Sequence, residues 1–82
     1  MEKLIVLING LVLISKIEEL STEMGEPDCK LTNPFTVDSS GSLESYLHHY
    51  TNRKEFKIHS DKILTITDPK PLLLDKYQKL TE

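Results

Sequence analysis

With 82 residues and a single cysteine, Cys29, the chain has room for one small domain spanning 1–82 and cannot close an internal disulfide. This fits a reducing, cytoplasmic setting rather than secretion. Apolar residues make up 38% and charged residues 28% of the chain, the balance of a soluble globular protein and not of a disordered or membrane-embedded one. Thirteen acidic against ten basic residues leave a formal charge of −3, which argues against gripping nucleic acid by bulk electrostatics, so any such site must be local. The basic residues concentrate from residue 53 onward, and an anionic ligand would be expected there.

The amino terminus, MEKLIVLINGLVLIS, superficially looks like a secretion signal. Asn9-Gly10 interrupts its apolar run and no small-residue cleavage site follows, so neither a signal nor a membrane span is expected. The first aliphatic run predicts a buried strand over 3–8. Asn9-Gly10 predicts a type I′ hairpin, since both residues tolerate positive φ. A second strand follows over 11–20, with Leu11, Leu13 and Ile17 on one face, Val12, Ile14 and Leu20 on the other, and the small Ser15 permitting a strong bend. Turn formers around Gly25 and Pro27 precede a third strand over 28–37, with Cys29 and Leu31 inward and Asn33-Pro34 interrupting it. Residues 38–53 read as a loop. Leu43, Tyr46, Leu47 and Tyr50 recur there at helical spacing, which leaves one or two helical turns open beside a plain excursion. Strands over 54–60 and 62–67 come next, the former with Phe56 and Ile58 inward. Asp68 caps or starts the following turn, and Leu73, Tyr77 and Leu80 mark one face of a short helix over 71–80.

Five short strands with tight turns, one of them sharply bent, predict a mainly β fold: a small, strongly bent antiparallel barrel of the SH3 or OB type with a short C-terminal helix. The last two strands leave unpaired edges, which invite another copy. If strand four of one copy pairs with strand five of the next, the contact is head-to-tail and closes into a homo-oligomeric ring.

At this point the residues resemble the Sm/LSm family of small RNA-binding barrels, over nearly the whole chain. The overall look is closest to small Sm-like proteins of phage and marine metagenomic origin. The first family motif has its counterpart in LIVLI, Asn9-Gly10, the strand LVLISKIEEL with Ser15 at the glycine position, then Ser21, Met24 and Asp28. The second, an aliphatic residue, Arg-Gly, two residues and an aliphatic, corresponds to residues 58–63, IHSDKI. That hexapeptide is also similar to the Lys-His form of the bacterial Sm-like RNA chaperone. The chain departs from the family in Ser21 for aspartate, Ser15 and Ser60 for glycines, His59 for arginine, and a trailing instead of a leading helix. The resemblance implies an SH3-like ring of about five to seven copies. It also implies single-stranded RNA or DNA at a pore-side site, a role in RNA processing or chaperoning, and the cytoplasm of a bacterial or phage-infected cell.

His59 and Lys62 flank the turn between the last two strands, and Met24 sits in the loop after the second. The resemblance places both loops at the pore. An imidazole or a thioether covers the face of a base and an ammonium meets a phosphate, which suits single-stranded nucleic acid. His59 is equally readable as an ordinary hydrogen-bonded turn residue. Asp61 orients His59 or Lys62, or simply starts the turn with Ser60. Arg53 and Lys54, beside Tyr46, His48, His49 and Tyr50, form either a basic rim that tracks RNA or a solvated loop. Cys29, His48, His49 and His59 lack paired metal-ligand spacing, so no metal or other cofactor is expected. No phosphate-binding glycine loop or nucleophile motif is present, and a non-enzyme is expected. The alternative is a structural or adaptor barrel that holds protein partners by its ring faces, the 38–53 loop or the terminal helix.

Overall fold

The computed structural model describes residues 2–82. Six strands and a helix follow one another as β1 (Glu2–Leu7), β2 (Val12–Glu19), β3 (Cys29–Val37), β4 (Leu43–Ser45), β5 (Glu55–Ile58), β6 (Ile63–Thr67) and α1 (Pro71–Thr81). All ladders are antiparallel. The strand order is β4-β3-β2-β1-β6, with β5 also on β3. The expected mainly β architecture with a short C-terminal helix is therefore present. Among the described residues no ladder joins β5 to β6, so the sheet is open and both strands keep a free edge.

Aliphatic alternation sets the central register. Ile5 pairs with Leu13 across β1 and β2, Ile17 pairs with Leu31 across β2 and β3, and Ile5, Leu13 and Leu31 are fully buried as one cluster. Each such side chain contributes about 1.5–3 kcal/mol by leaving water. The β1–β2 connection corrects the expected two-residue type I′ turn. Gly10 alone takes positive φ (88°), while Asn9 does not. Leu7 N–H donates to Leu11 O, and Gly10 N–H to Leu7 O, both at 2.9 Å. The loop therefore holds three residues, Ile8-Asn9-Gly10, a turn closed by a left-handed glycine. Asn9 uses its side chain instead, accepting Leu11 N–H at 3.0 Å.

The bend lies where Ser15 and Asn33-Pro34 suggest it. Ile14 pairs with Phe35 and Lys16 with Thr32, so the single residue Ser15 opposes two on β3. This is a bulge, and Asn33 takes φ 53° to make it. Asparagine is among the few side chains that accept this conformation readily. Ser15 is fully buried, and its hydroxyl reaches the carbonyls of Lys16 (2.8 Å) and Thr32 (3.1 Å). The bulge divides the outer edge of β3 between two partners: residues 29–32 pair with β5, and residues 35–37 with β4.

β4 itself corrects the reading of residues 38–53 as loop or helical turns. Asp38 Oδ1 accepts Ser40 and Ser42 N–H (2.9 and 3.0 Å), which turns the chain back for three strand residues. Beyond them no helix forms over the 43–50 spacing: Leu47 sits at φ 59°, and a single turn closed on its carbonyl by Tyr50 and Thr51 N–H follows it. Tyr46 instead packs edge-on to Phe56, centroids 5.6 Å apart.

Tyr77 anchors α1. It is fully buried, lies edge-on to Phe35 at 5.8 Å, and donates its hydroxyl to Asn33 O at 2.9 Å. The packed face is Leu73, Leu74, Tyr77 and Thr81, whereas Leu80 is exposed, contrary to expectation. Asp68 does not cap the helix. Its carboxylate pairs with Lys3 at 2.6 Å, and Lys70 occupies the cap position ahead of Pro71.

Candidate nucleic-acid interface

The hexapeptide 58–63 is one tight connection between β5 and β6. His59 stays extended (φ −82°, ψ 131°), and Ser60–Lys62 form a single 3-10 turn. Lys62 N–H donates to His59 O at 3.0 Å, and Ile63 N–H to Ser60 O. Two outside contacts hold the turn. Asp28 accepts Ser60 N–H at 2.7 Å and the Ser60 hydroxyl at 2.6 Å. These bonds, the hydroxyl's first, hold the Asp28 carboxyl below its ordinary pKa. On the other side Ile8 N–H donates to Lys62 O at 2.9 Å, tying the turn to the β1–β2 hairpin.

Between that hairpin and the turn lies an open cavity of about 490 Å³, lined by Leu7, Ile8, Asn9, Tyr46, Ile58, His59 and Lys62. Its walls combine three aliphatic side chains and an amide with a phenol, an imidazole and an ammonium. Flat aromatic groups stack against such walls, and an adjacent cation attracts an attached anion.

Of the seven residues singled out from sequence, His59 and Lys62 share this cavity. Ser60 turns away to Asp28 and toward a second groove. Asp61 is exposed within the turn, and Met24 is fully exposed in the β2–β3 connection. Neither lines the cavity. Arg53 and Lys54 are exposed ahead of β5, where Lys54 O accepts Asn33 N–H at 2.7 Å. Sequence reasoning set Tyr46 in a basic and aromatic rim with Arg53 and Lys54 instead of at this cavity, and it missed the hairpin residues 7–9 and the Asp28 clamp. The clamp had a visible signal, a carboxylate at the mouth of β3 and a serine where the resembled motif has glycine.

The second groove, about 530 Å³, runs along the open seam of the sheet, with Ile17, Cys29, Ile63, Leu64 and Ile66 among its lining. Leu64 and Ile66 on edge strand β6 are 68% and 49% exposed. Cys29 is buried there, and burial pushes its thiol pKa up.

In and just after β4, three exposed side chains meet. His48 Nε2 lies 2.6 Å and His49 Nε2 3.5 Å from Glu44 Oε1. The hydrogen bond from His48 is the main cause of a lowered Glu44 pKa. The sequence offered His48 and His49 only together with Cys29 and His59, whose spacing argued against a metal set, and Glu44 went unnoticed.

The model of a family of unknown function (DUF6561) matches residues 1–82, and the chain belongs to that family. A search of curated proteins finds no match. Among the described residues no helix is long and apolar enough to cross a membrane.

Proposed function

We propose that the chain is the subunit of an Sm-like homo-oligomeric ring that binds single-stranded nucleic acid, RNA rather than DNA, through the cavity at the 58–63 turn. The observation that carries the reading is the meeting of His59, Lys62 and Tyr46 around one open cavity that three aliphatic side chains also line. An A-form duplex offers no unstacked base to such a cavity, whereas a single strand does. Support for the ring comes from the two free edges and from the exposed Leu64 and Ile66, since an unpaired apolar edge strand is a template for another chain. Pairing the β6 edge with β5 of a neighbour closes each barrel seam and repeats the cavity around the ring. The net charge of −3 leaves such binding to local contacts and not to the general field.

The test is fluorescence anisotropy with labelled oligo-U and oligo-A at low and physiological salt. Native protein binds with an affinity that falls as salt rises. His59→Ala weakens binding by about fivefold or more, the lower range for a lost stacking partner. Lys62→Ala flattens the logarithmic salt dependence by about 0.7 for each phosphate contact removed. Binding that ignores both substitutions contradicts the cavity assignment, and a protein that ignores both oligonucleotides favours a partner-holding adaptor.

A further inference from the structure

The turn after β4 holds chemistry that nucleic-acid binding does not use. β4 is three residues long, and Glu44 pairs with Thr36 at the edge of β3. Immediately beyond it Leu47 takes φ 59°, a conformation that costs a branched, non-glycine side chain about 1–2 kcal/mol. Tyr50 and Thr51 N–H both donate to Leu47 O, at 2.9 and 3.1 Å, closing the turn tightly. The consequence is that two successive residues, His48 and His49, are brought back over Glu44. Their rings lie with centroids 3.9 Å apart, and both Nε2 atoms approach the same carboxylate oxygen, at 2.6 and 3.5 Å. One donor atom from each of the three side chains falls within 4.8 Å of the other two.

A carboxylate satisfied by one histidine does not require the second. The two imidazoles lie tilted at 38° to each other and bring two ring nitrogens to one carboxylate oxygen. A dication that takes a lone pair from each ring and an oxygen from the carboxylate satisfies all three at once. Ligand bonds of about 2.0–2.2 Å place neighbouring donors roughly 3–3.6 Å apart in tetrahedral or octahedral geometry. The three donor atoms lie within 4.8 Å of one another, close to that spacing. All three side chains are exposed, so water fills the remaining coordination positions and no charge has to be buried. The donor set decides the class of ion. Two imidazole nitrogens with one carboxylate suit zinc and its first-row neighbours, whereas calcium and magnesium demand oxygen.

We propose that Glu44, His48 and His49 form a binding site for a divalent transition ion of the zinc class, with water completing its coordination. Its three ligands are not among the residues lining the 58–63 cavity, and the proposal does not depend on whether that cavity binds RNA.

The test is calorimetric titration of the full chain with Zn²⁺, paired with the absorption spectrum of the Co²⁺ complex. One ion binds per chain, excess Mg²⁺ or Ca²⁺ does not displace it, and the Co²⁺ spectrum lacks thiolate charge transfer. Glu44→Gln, His48→Gln and His49→Gln each weaken Zn²⁺ binding by about tenfold or more, while circular dichroism and melting without metal stay those of the native chain. Absence of saturable Zn²⁺ binding overturns the proposal. So does affinity unmoved by the three substitutions, or a thiolate band that assigns the ion to Cys29.

Discussion

Two side chains hold far-apart parts of this chain together by hydrogen bonds, and each makes a measurable difference. Tyr77 buries its ring against Phe35 and directs its hydroxyl at Asn33 O, the carbonyl of the residue that makes the β3 bulge. Tyr77→Phe keeps the ring and strands that carbonyl, so it lowers stability in urea denaturation by about 1–2 kcal/mol. Tyr77→Ala opens a cavity as well and costs about 3–5 kcal/mol. Asp28 does for the 58–63 turn what Tyr77 does for the bulge. Its pKa is lowered in the folded chain, chiefly by the Ser60 hydroxyl. The stabilisation is therefore present above the ordinary carboxylate value near 4 and is lost as pH falls through the folded value. Thermal melts across that window drop more steeply for the native chain than for Asp28→Ala, which melts lower at neutral pH. Parallel curves for the two proteins contradict the clamp. Tyr77 was legible as apolar but its partner is a bent backbone, and Asp28 read as a strand start, its one signal the serine in place of glycine at residue 60, because that partner lies 32 residues away.

At the scale of elements, legibility followed length and alternation. The five longer strands could be placed because the aliphatic runs at 4–8 and 11–14, the alternation of Phe56 and Ile58, and the β-rich stretches between turn formers allow few other outcomes. The bend was legible from Ser15 and Asn33-Pro34, residues that fit a bulge better than a straight ladder. β4 was hidden because three residues carry no period, and Leu43, Tyr46, Leu47 and Tyr50 imitate a helix that Leu47 breaks. The hairpin was anticipated and its type was not, since Asn-Gly fits a two-residue and a three-residue loop equally and only strand register separates them. Nor does composition tell an edge strand from a covered one: Ile63, Leu64 and Ile66 look alike in sequence, yet Leu64 and Ile66 face solvent. That exposure is the element-level prediction. Leu64→Lys removes no buried contact, so it leaves the melt of the folded chain within about 0.5 kcal/mol of native. It also places a charge on the edge, the usual guard against strand pairing. Gel filtration then shows a smaller particle. An unchanged particle size sets β6 outside any contact between copies.

For the whole molecule, size and topology pull the same way. A chain of 82 residues buries a modest core, and here that core is one side of an open sheet closed at one end by α1 and left with an apolar seam along β6. In the proposed ring, a second copy laid into that seam would supply the burial that length withholds, and head-to-tail repetition of the contact would give every subunit the same cavity. The site was half legible at this scale. His59 and Lys62 stood out because they share a turn, while Tyr46 and residues 7–9 join them only when the sheet brings three connections to one end.

The most direct test is the solution mass of the purified chain, by light scattering coupled to gel filtration over a range of concentrations. A ring predicts one discrete species at a fixed multiple of 9.4 kDa, with about five to seven copies, that collapses to smaller species in Leu64→Lys. A particle of 9.4 kDa at every concentration contradicts the ring and removes the repeated pore-side site with it.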